Sequence, residues 1–390
     1  MKICAIIAEY NPFHLGHLKH IDYVKSTLNA DKIIIIMSGN FTQRGDIAVL
    51  NKFTRARHAI IAGADAVIEL PTPFATANAE TFARGAINVI NSLGVVDGIC
   101  FGVESGDRQS YISLAKELID ESKEFKKILK EKLDGGISLA KAKFETVKAL
   151  KGDRFDESLI SKPNNILGLE YTKALLRLKS DIMIYPMHRD GDHNDTTLKK
   201  GETSATSIRE VLKTGKIKKL KKCLPPFVYQ DLKDYPFDFE KLTISQAIIK
   251  DAEDFEKILD CTEGLENRIK AFTKDNRTLD ALVDKVSTKR YTKTRVRRIL
   301  TANLLGINES LVKDCLEKPL YAKVLAVNSN SKDLIPQICK NASVPVLTRK
   351  SDVGLLKKTA LKCFEKDVLA NDLHNLITGD KTNEHQMLIV

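Results

Sequence analysis

The sequence predicts an α/β protein whose first half contains a parallel sheet and whose second half is mainly α-helical. Short apolar, β-branched runs at residues 3–8, 33–37, 66–68 and 99–101 alternate with segments in which apolar residues recur every three or four positions. Beyond about residue 240 the helical spacing continues with little sign of strands. Strands that alternate with helices form βαβ units, and continuous apolar strands are buried on both faces.

The remaining segments complete a two-domain prediction. Residues 108–160 are rich in Lys, Glu and Leu and predict helices inserted after the fourth strand, and residues 182–185 predict a fifth strand. The polar stretch 191–207 is typical of a binding loop. Apolar runs at 322–327 and 344–347 flank a helical stretch and predict a small α/β appendage. We therefore expect a catalytic domain at residues 1–212 and a basic C-terminal region at residues 213–390.

Composition favours a cytoplasmic protein that binds a polyanion. The chain of 390 residues contains no apolar stretch of about 18 residues that would span a membrane, and its N-terminal apolar run is too short for a signal peptide. Seven dispersed cysteines without a CxxC pair predict free thiols in a reducing compartment and no zinc site. The 62 Lys and Arg residues exceed the 51 Asp and Glu residues, which leaves a net charge of +11.

Two histidines follow the first predicted strand. Asn11-Pro12 predicts a turn, and a helix is expected to begin near His14, Gly16 and His17. The N–H groups of such a helix start attract anions, and Gly16 would let a nucleotide approach the backbone. Imidazolium donors there would stabilise charge on a phosphate in a transition state. The alternative is that both histidines merely cap or pack the helix.

Hydroxyl groups and an arginine mark a second candidate phosphate site. Ser204 and Thr206 stand at a predicted helix start, and Arg209 follows them. The alternative is a plain N-cap with a solvated arginine. Gln43 and Arg44 lie in the loop after the second strand, where they would bind a carboxylate or phosphate or serve only the loop structure.

Several longer motifs resemble one enzyme family. The segments AEYNPFHLGH at residues 8–17 and SATSIR at 204–209 resemble the HxGH nucleotidyltransferases, a Rossmann-like, HUP-type α/β group. The segments MSGNFTQRG at 37–45, ADAVIELP at 64–71, FGVES at 101–105 and KPNNILG at 162–168 narrow the resemblance to the tRNA(Met) cytidine acetate ligase family. The matches span residues 3–209, and the C-terminal half matches loosely.

The resemblance implies an ATP-dependent ligase. Acetate and ATP would give acetyl-adenylate and pyrophosphate, and the acetyl group would pass to N4 of the wobble cytidine of elongator tRNA(Met). The implied ATP-binding residues are Ile7, Ala8, Glu9, Tyr10, Asn11, Pro12, Phe13, His14, Leu15, Gly16, His17, Leu18, Lys19, His20, Gly102, Asn164, Asn165, His188 and Arg189. We expect one asparagine of the 164–165 pair to contact ATP. The expected catalytic residues are His14, His17, Arg44, Ser204, Thr206 and Arg209.

Other charged residues of the first half favour structural roles. Lys52, Arg55 and Arg57 begin a predicted helix and are expected on its solvated face, while Glu69 is expected to be a polar cap of its strand. Because no His, Cys and Asp cluster has zinc spacing, any metal is expected to be Mg²⁺ carried by the ATP phosphates.

Two acid-free basic clusters predict contact with tRNA. Six lysines fall within residues 213–222, and seven Lys or Arg residues fall within 285–298. In the second cluster, Lys289, Lys293 and Arg297 are expected to share one helix face, with Tyr291 offering a stacking surface. The candidate tRNA-binding residues are Lys216, Lys219, Lys289, Arg290, Lys293 and Arg297. No protein partner or membrane is implied.

Two other functions remain open at this stage. A small-molecule nucleotidyltransferase acting on a phosphorylated metabolite would use the same motifs but leave the basic second half without a purpose. A non-catalytic RNA-binding protein would need the basic clusters but not the pair of histidines.

Overall fold

A computed structural model describes residues 1–137, 139–152, 156–189, 204–317 and 320–390. Two compact units emerge, one formed by Met1–Asp97 with Gly191–Val390 and a smaller one by Gly98–Asp190. The boundaries of these units differ from the functional boundary expected after residue 212. That functional boundary stays a prediction. Most of the polar segment predicted as a binding loop, residues 191–203, lies outside the described residues.

The strands follow the predicted order along the chain. They are β1 (Ile3–Ala8), β2 (Lys32–Ser38), β3 (Ala66–Leu70), β4 (Gly98–Val103), β5 (Met183–His188), β6 (Ala322–Val327), β7 (Val346–Leu347) and β8 (Leu388–Ile389). The helices are α1 (Leu15–Ser26), α2 (Lys52–Ile61), α3 (Thr72–Ala75), α4 (Ala79–Leu93), α5 (Arg108–Asp120), α6 (Lys123–Asp134), α7 (Leu139–Lys151), α8 (Ser158–Ser161), α9 (Pro163–Leu178), α10 (Ala205–Lys213), α11 (Pro226–Asp231), α12 (Asp238–Ile249), α13 (Ala252–Glu256), α14 (Leu265–Thr273), α15 (Leu279–Val286), α16 (Lys293–Leu305), α17 (Glu309–Glu317), α18 (Leu334–Asn341) and α19 (Lys358–Thr378). Short 3₁₀ helices lie at Ile217–Lys222, Ser329–Ser331 and Lys350–Leu355.

The sheet of the larger unit is parallel in its first three strands. β1 pairs with β2 from Ile3 opposite Lys32, and β2 pairs with β3 from Ile34 opposite Ala66. The isoleucine run of β2 is buried, as expected for a strand that is covered on both faces. Parallel pairing places the ends of β1, β2 and β3 at one edge, so the polar segments that follow these strands meet there.

The expected C-terminal appendage extends this same sheet. β6 pairs antiparallel with β3, and β7 and β8 each pair parallel with β6. The sequence locates β6, β7 and the helix between them but not β8, and the apolar runs do not reveal a partner. β6 is buried along its whole length because it is an inner strand of the larger sheet.

Helix caps explain where the helices of the first half begin and end. Asn51 caps α2 by accepting from the N–H of Thr54, and Asn78 caps α4 in the same way. α4 ends at Gly94, whose φ of 67° is left-handed. The close approach of Asn341 also requires a glycine at this position, because a Cβ there would lie 2.4 Å from the carbonyl oxygen of Asn341.

The helical region of the second half has its own apolar core. Residues from α12 to α16 form most of it, and Ala370 of α19 joins them. Two residues from the first half, Phe41 and Ile47, are buried in this core as well. The loop between β2 and α2 is therefore anchored in the helical region rather than in the sheet.

The smaller unit contains two parallel strands and the inserted helices. β4 pairs with β5 in a register that places Gly98 opposite Met183 and Val103 opposite His188. The described helices α5 to α8 occupy the segment predicted as a helical insertion. α9 packs on both α5 and β4.

Four charged side chains form an ion cluster that is shielded from solvent in the larger unit. The ammonium of Lys52 lies 2.7 Å from Glu69 Oε1 and 2.7 Å from Glu384 Oε1, and that of Lys323 lies 3.0 Å from Glu69 Oε2 and also pairs with Glu384. The expectation of a solvated position for Lys52 is wrong, and Glu69, which was expected to cap its strand, is buried in this cluster. Burial alone would raise the pKa of Glu69, but the charges of Lys323 and Lys52 outweigh it and hold that pKa below its usual range.

The cluster joins four parts of the chain, namely α2, β3, β6 and the segment before β8.

All seven cysteines are free thiols, and Cys339 alone among them is exposed. Within the described ranges, no helix combines the length and apolar composition needed to cross a membrane.

Replacing Glu69 by Ala should lower the free energy of unfolding by about 3–5 kcal/mol, because two ammonium groups would then share one carboxylate in a buried site. Urea denaturation would measure the loss. Asp238→Ala is the matched control, since its exposed pair with Lys241 contributes about 0.5 kcal/mol or less. Equal losses in both variants would contradict a special role for the cluster.

Candidate active site

The turn between β1 and α1 brings both predicted histidines together. His14 is the N-cap of α1, and its Nδ1 accepts a hydrogen bond of 3.0 Å from the N–H of Gly16. His17 Nδ1 accepts a bond of 3.2 Å from the N–H of His14. The two rings stack with their centroids 3.7 Å apart. Capping and functional interpretations therefore do not exclude each other, because one arrangement caps the helix and fixes both rings.

These bonds decide which ring nitrogen of each histidine carries a proton. A nitrogen that accepts from a backbone N–H must keep its lone pair, so Nδ1 is unprotonated in both rings. A donor from either ring to a phosphate would then be Nε2–H. Protonation at Nδ1 would break both caps, and the expectation of imidazolium donors stays a prediction. A neutral Nε2–H still stabilises a developing negative charge.

Aromatic packing holds the histidine pair in place. The rings of Tyr10 and Phe13 lie 4.8 Å and 5.5 Å from the ring of His17 and are buried. Tyr10 has a left-handed φ of 48°, a strained conformation for a tyrosine that the surrounding packing must hold. A Cβ on Gly16 would lie 2.9 Å from Cε1 of His14, so this glycine makes room for the His14 ring.

The other residues of the predicted ATP-binding stretch surround this turn. Ile7, Ala8 and Glu9 are partly exposed where β1 ends, and Pro12 is buried after a cis peptide bond. On α1, Leu15, Leu18 and His20 are partly exposed, and Lys19 is exposed.

The guanidinium of Arg55 fastens the strand ends beneath the turn. Its Nη1 donates to the carbonyl oxygens of Glu9 at 2.6 Å and Ser38 at 3.0 Å, its Nη2 donates to Gly39, and its Nε donates to Leu50 at 2.9 Å. The expected solvated face is wrong for this side chain, which has no exposed surface. Burial lowers the pKa of Arg55 to about 10.

The second phosphate motif meets the first in this structure. Arg209 Nη1 donates to the carbonyl oxygen of Asn11 at 2.7 Å, and its Nη2 lies 3.3 Å from Thr206 Oγ1. Ser204 is the N-cap of α10 and accepts from the N–H of Ser207 at 3.1 Å. Arg209 is buried, so the alternative of a solvated arginine is wrong. Burial lowers the pKa of Arg209, and the charge of Asp46 opposes that shift.

The loop of residues 42–46, which carries Gln43 and Arg44, lies beside the same turn. The N–H of Gln43 donates to Glu9 Oε1 at 2.8 Å. The loop closes on itself through a bond of 3.0 Å from the N–H of Thr42 to the carbonyl oxygen of Asp46. The charge of Arg44 adds to the lowering of the pKa of Arg209. The larger unit thus gathers all six expected catalytic residues.

The smaller unit holds the remaining predicted ATP-binding residues where β4 and β5 end. Gly102 makes room for Arg189, since a Cβ on this glycine would lie 2.6 Å from Cδ of the arginine. Burial lowers the pKa of Arg189, and the charge of Glu104 opposes that shift. His188 ends β5 and is exposed. A guanidinium beside an open glycine at a carboxyl strand edge is a suitable phosphate site.

Hydrogen bonds separate the two asparagines. Asn165 is fully buried, its Oδ1 accepts from the N–H groups of Glu104 and Ser105, and its Nδ2 donates to the carbonyl oxygen of Ser158 at 3.0 Å. Its amide is therefore committed to the protein. Asn164 is partly exposed and donates to Glu104 Oε1 at 2.7 Å, which leaves its Oδ1 as the better candidate for a nucleotide contact.

The first basic cluster is a solvated lysine surface. Lys216 and the lysines of the 3₁₀ helix Ile217–Lys222 are exposed. Within the described part of the chain, none of these five lysines forms an ion pair; they are Lys216, Lys218, Lys219, Lys221 and Lys222. Unpaired ammonium groups on one short segment favour a polyanionic partner.

The second basic cluster does not form the expected helix face. α16 begins only at Lys293, so Lys289 lies outside it, in the preceding turn. Arg290 pairs with Glu263 at 2.8 Å, Lys293 pairs with Asp284 at 2.6 Å, and Arg297 pairs with Asp46 at 2.8 Å. The sequence shows no acid within this run, but acids from other elements pair with these three of its seven basic residues.

Tyr291 is not the expected stacking surface. It is buried and donates from its hydroxyl to the carbonyl oxygen of Glu263 at 2.5 Å.

Arg55, Asp46 and Glu104 are the site residues that sequence reasoning did not assign. The excess of basic residues at the start of α2, where cations oppose the helix dipole, is the signal that could have identified Arg55.

Comparison with known proteins gives consistent results over the whole chain. The sequence model described as HIGH Nucleotidyl Transferase matches residues 1–387. The tRNA(Met) cytidine acetate ligase of Acetivibrio thermocellus is 38% identical in an alignment that covers 96% of this chain and 94% of the relative. The protein of the same name from Clostridium perfringens is 36% identical and covers 97% of this chain and 96% of its own length.

Solved structures with the same fold are also known. The apo crystal structure of TmcAL from Thermotoga maritima is 29% identical, has a TM-score of 0.93 and covers 100% of both chains. A second crystal structure of that protein, bound with alpha-thio ATP, is 28% identical with a TM-score of 0.91.

Replacing Arg55 by Lys should lower the free energy of unfolding by about 2–4 kcal/mol, because one ammonium cannot reach the four carbonyl oxygens that the guanidinium binds. Urea denaturation would measure this loss. The control is Arg57→Lys on the same helix, whose side chain is exposed and which should change stability by about 0.5 kcal/mol or less. A similar loss in the two variants would show that the buried carbonyl contacts are unimportant.

Proposed function

Because the chain belongs to the tRNA(Met) cytidine acetate ligase family of HIGH nucleotidyl transferases, we propose that it activates acetate with ATP and transfers the acetyl group to a cytidine of tRNA(Met). An acetate oxygen attacks the α-phosphorus of ATP, the bond from that phosphorus to the bridging oxygen breaks, and pyrophosphate leaves. N4 of the wobble cytidine then attacks the acetyl carbonyl carbon, AMP leaves, and N4 loses a proton. The reaction belongs to the cytoplasm, where tRNA is found.

The contact between Arg209 and Asn11 is the observation that carries the proposal. It brings two motifs that are almost 200 residues apart in the chain to one point, beside the stacked rings of His14 and His17. A site with two Nε2–H donors, two guanidinium groups and a helix start has what adenylate formation needs, namely donors for the negative charge that grows on the phosphate. Binding of alpha-thio ATP by the Thermotoga maritima protein supports the choice of nucleotide.

Each group has a distinct task in this mechanism. The Nε2–H groups of His14 and His17 donate to phosphate oxygens, and the caps on Nδ1 keep those donors oriented. Arg44 and Arg209 balance the charge of the triphosphate and of the acetate. The resemblance also implies nucleotide contacts from Arg189 and Asn164, and these two assignments stay predictions.

Among the described residues, no group of three or more His, Cys, Asp and Glu side chains could hold a metal ion. We therefore propose that Mg²⁺ enters with ATP and is held mainly by phosphate oxygens and water, as is common for this ion. The tasks of the side chains named above do not depend on it.

His17→Ala should reduce acetate-dependent exchange of pyrophosphate into ATP by about 100-fold or more, because one donor to the developing charge is lost together with the cap of His14. The measurement compares acetate with other short carboxylates and with phosphorylated metabolites, each with and without tRNA. Lys25→Ala, at the exposed end of the same helix, is the control and should keep full exchange.

Three results would redirect the proposal. Exchange that depends only on a phosphorylated metabolite would indicate the small-molecule nucleotidyltransferase. Tight tRNA binding without any exchange would indicate the non-catalytic RNA-binding protein. Full exchange in a folded His17→Ala variant would remove the histidine pair from the mechanism.

The lysine surface at residues 216–222 is the better of the two basic clusters for tRNA. Its ammonium groups are exposed and face no carboxylate within the described chain, whereas Arg290, Lys293 and Arg297 already have acidic partners. Neutralising phosphates with unpaired lysines releases counterions without first breaking an ion pair. We propose Lys216 and Lys219 as contacts to the tRNA backbone, with Lys289 as a further exposed candidate.

Replacing Lys216 and Lys219 together by Ala should weaken tRNA affinity and flatten its salt dependence by roughly 1.5 units of the log–log slope, since each lost phosphate contact removes about 0.7–0.9. Filter binding over a range of salt concentrations would measure both quantities, and acetate-dependent exchange should be unchanged. The control replaces Lys241 and Lys313, two exposed lysines that are paired with acids of their own helices. An unchanged affinity and slope would exclude this surface.

A further inference from the structure

The side chain of Arg297 reaches from α16 to the 42–46 loop, although its place in a basic run predicted contact with tRNA. Its Nη1 lies 2.8 Å from Asp46 Oδ1, and both side chains are only 18% exposed. Its Nη2 pairs with Asp280. A guanidinium that is bound by two carboxylates has few donors left for a phosphate backbone. Its partners therefore indicate a role inside the protein.

Backbone contacts reinforce the link between α16 and this loop. Gly45 has a left-handed φ of 75°, and a Cβ there would lie 2.5 Å from the carbonyl carbon of Arg297 and from the nitrogen of Arg298. Thr301 donates from its hydroxyl to the carbonyl oxygen of Gly45 at 2.7 Å. Glycine is thus required for both the turn and the approach of the helix.

The opposite side of the loop contacts the catalytic turn. The N–H of Gln43 donates to Glu9, and Asp46 is the anion that acts most strongly on Arg209. Beyond the loop, the N–H of Val49 donates to Asn11 Oδ1 at 2.9 Å. A displacement of Asp46 would therefore change the electrostatic environment of Arg209 and the position of the loop that carries Arg44.

We infer that Arg297 is a positioning residue of the adenylate-forming site, where it holds Asp46 and thereby sets the 42–46 loop against the histidine turn. The inference rests on the proposed function. The helical region would then have a part in the first chemical step, before any tRNA is bound. A direct contact between Arg297 and tRNA is the competing explanation, and the two make opposite predictions for exchange without tRNA.

The first test compares Arg297→Ala with Arg297→Lys in acetate-dependent pyrophosphate exchange without tRNA. Arg297→Ala should lower kcat by about 10- to 100-fold, because small misplacements of catalytic groups have effects of this size, while the KM for ATP changes less. Arg297→Lys keeps one cation beside Asp46 and should recover part of the rate. tRNA affinity should stay within about twofold of wild type for both variants, because the paired guanidinium releases few counterions.

Arg277→Ala is the matched control. This arginine is exposed in the same helical region, and its guanidinium donates a local hydrogen bond to the carbonyl oxygen of Lys274. The control should keep the kcat of wild type. Thermal unfolding of every variant shows whether a lost rate reflects only a lost fold.

A double-mutant cycle with Asp46→Asn tests whether the pair acts as a unit. If Arg297 works through Asp46, the double variant should lose no more exchange activity than the more severe single variant. If the two residues acted independently, the fold losses of exchange activity in the two single variants would multiply in the double variant. Multiplying losses would mean that Arg297 affects the site by another route, and the inference would be wrong.

Hydrogen exchange at the amides of residues 43 and 45 gives a readout that does not need activity. Arg297→Ala should speed exchange at these two amides by at least about tenfold, because the loop loses its anchor on α16. If wild type shows no acetate-dependent pyrophosphate exchange, the proposed function fails, and this comparison still judges the inference. Unchanged amide exchange, or full kcat together with weaker tRNA binding, would overturn it.

Discussion

The site depends on the buried guanidinium of Arg55, which bonds to backbone carbonyl oxygens and to no carboxylate among the described residues. Arg55 donates to carbonyl oxygens at the ends of β1 and β2, and these oxygens would otherwise lack partners where the parallel ladder stops. The cost of burying this charge is offset by four hydrogen bonds to backbone dipoles. By fastening both strand ends, Arg55 fixes the start of the histidine turn and the start of the loop that carries Arg44.

From this anchor the site is assembled by contacts that serve two purposes. The stacked histidines cap α1 and, by the same bonds, direct their Nε2–H donors. Arg209 satisfies the carbonyl oxygen of Asn11 and brings its charge to the same place. Because each functional group also satisfies a structural requirement, the site is preorganised before a ligand binds, which is the condition for strong electrostatic stabilisation of a transition state.

Net charge proved a weaker guide to partners than the pairing of individual charges. Two lysine- and arginine-rich runs look equivalent in the sequence, yet the lysines at 216–222 form no ion pair within the described residues, whereas three cations of the second run pair with Glu263, Asp284 and Asp46. The second run therefore contributes mainly to cohesion within the helical region and its link to the 42–46 loop. Only unpaired cations add to the attraction of a nucleic acid without first losing a partner.

The sequence alone determined the order of the strands along the chain, the α/β class and the family, because strand periodicity and the motifs after strand ends are local properties. It also predicted the histidine turn and the SATSIR segment as parts of a site, and the structure brings the two segments together. Only the tertiary structure decided that β6 joins the sheet beside β3, that Lys52 and Glu69 are buried together, and that Arg297 serves Asp46. These facts depend on which distant segments meet, and neither periodicity nor local charge encodes the partner of a buried polar group.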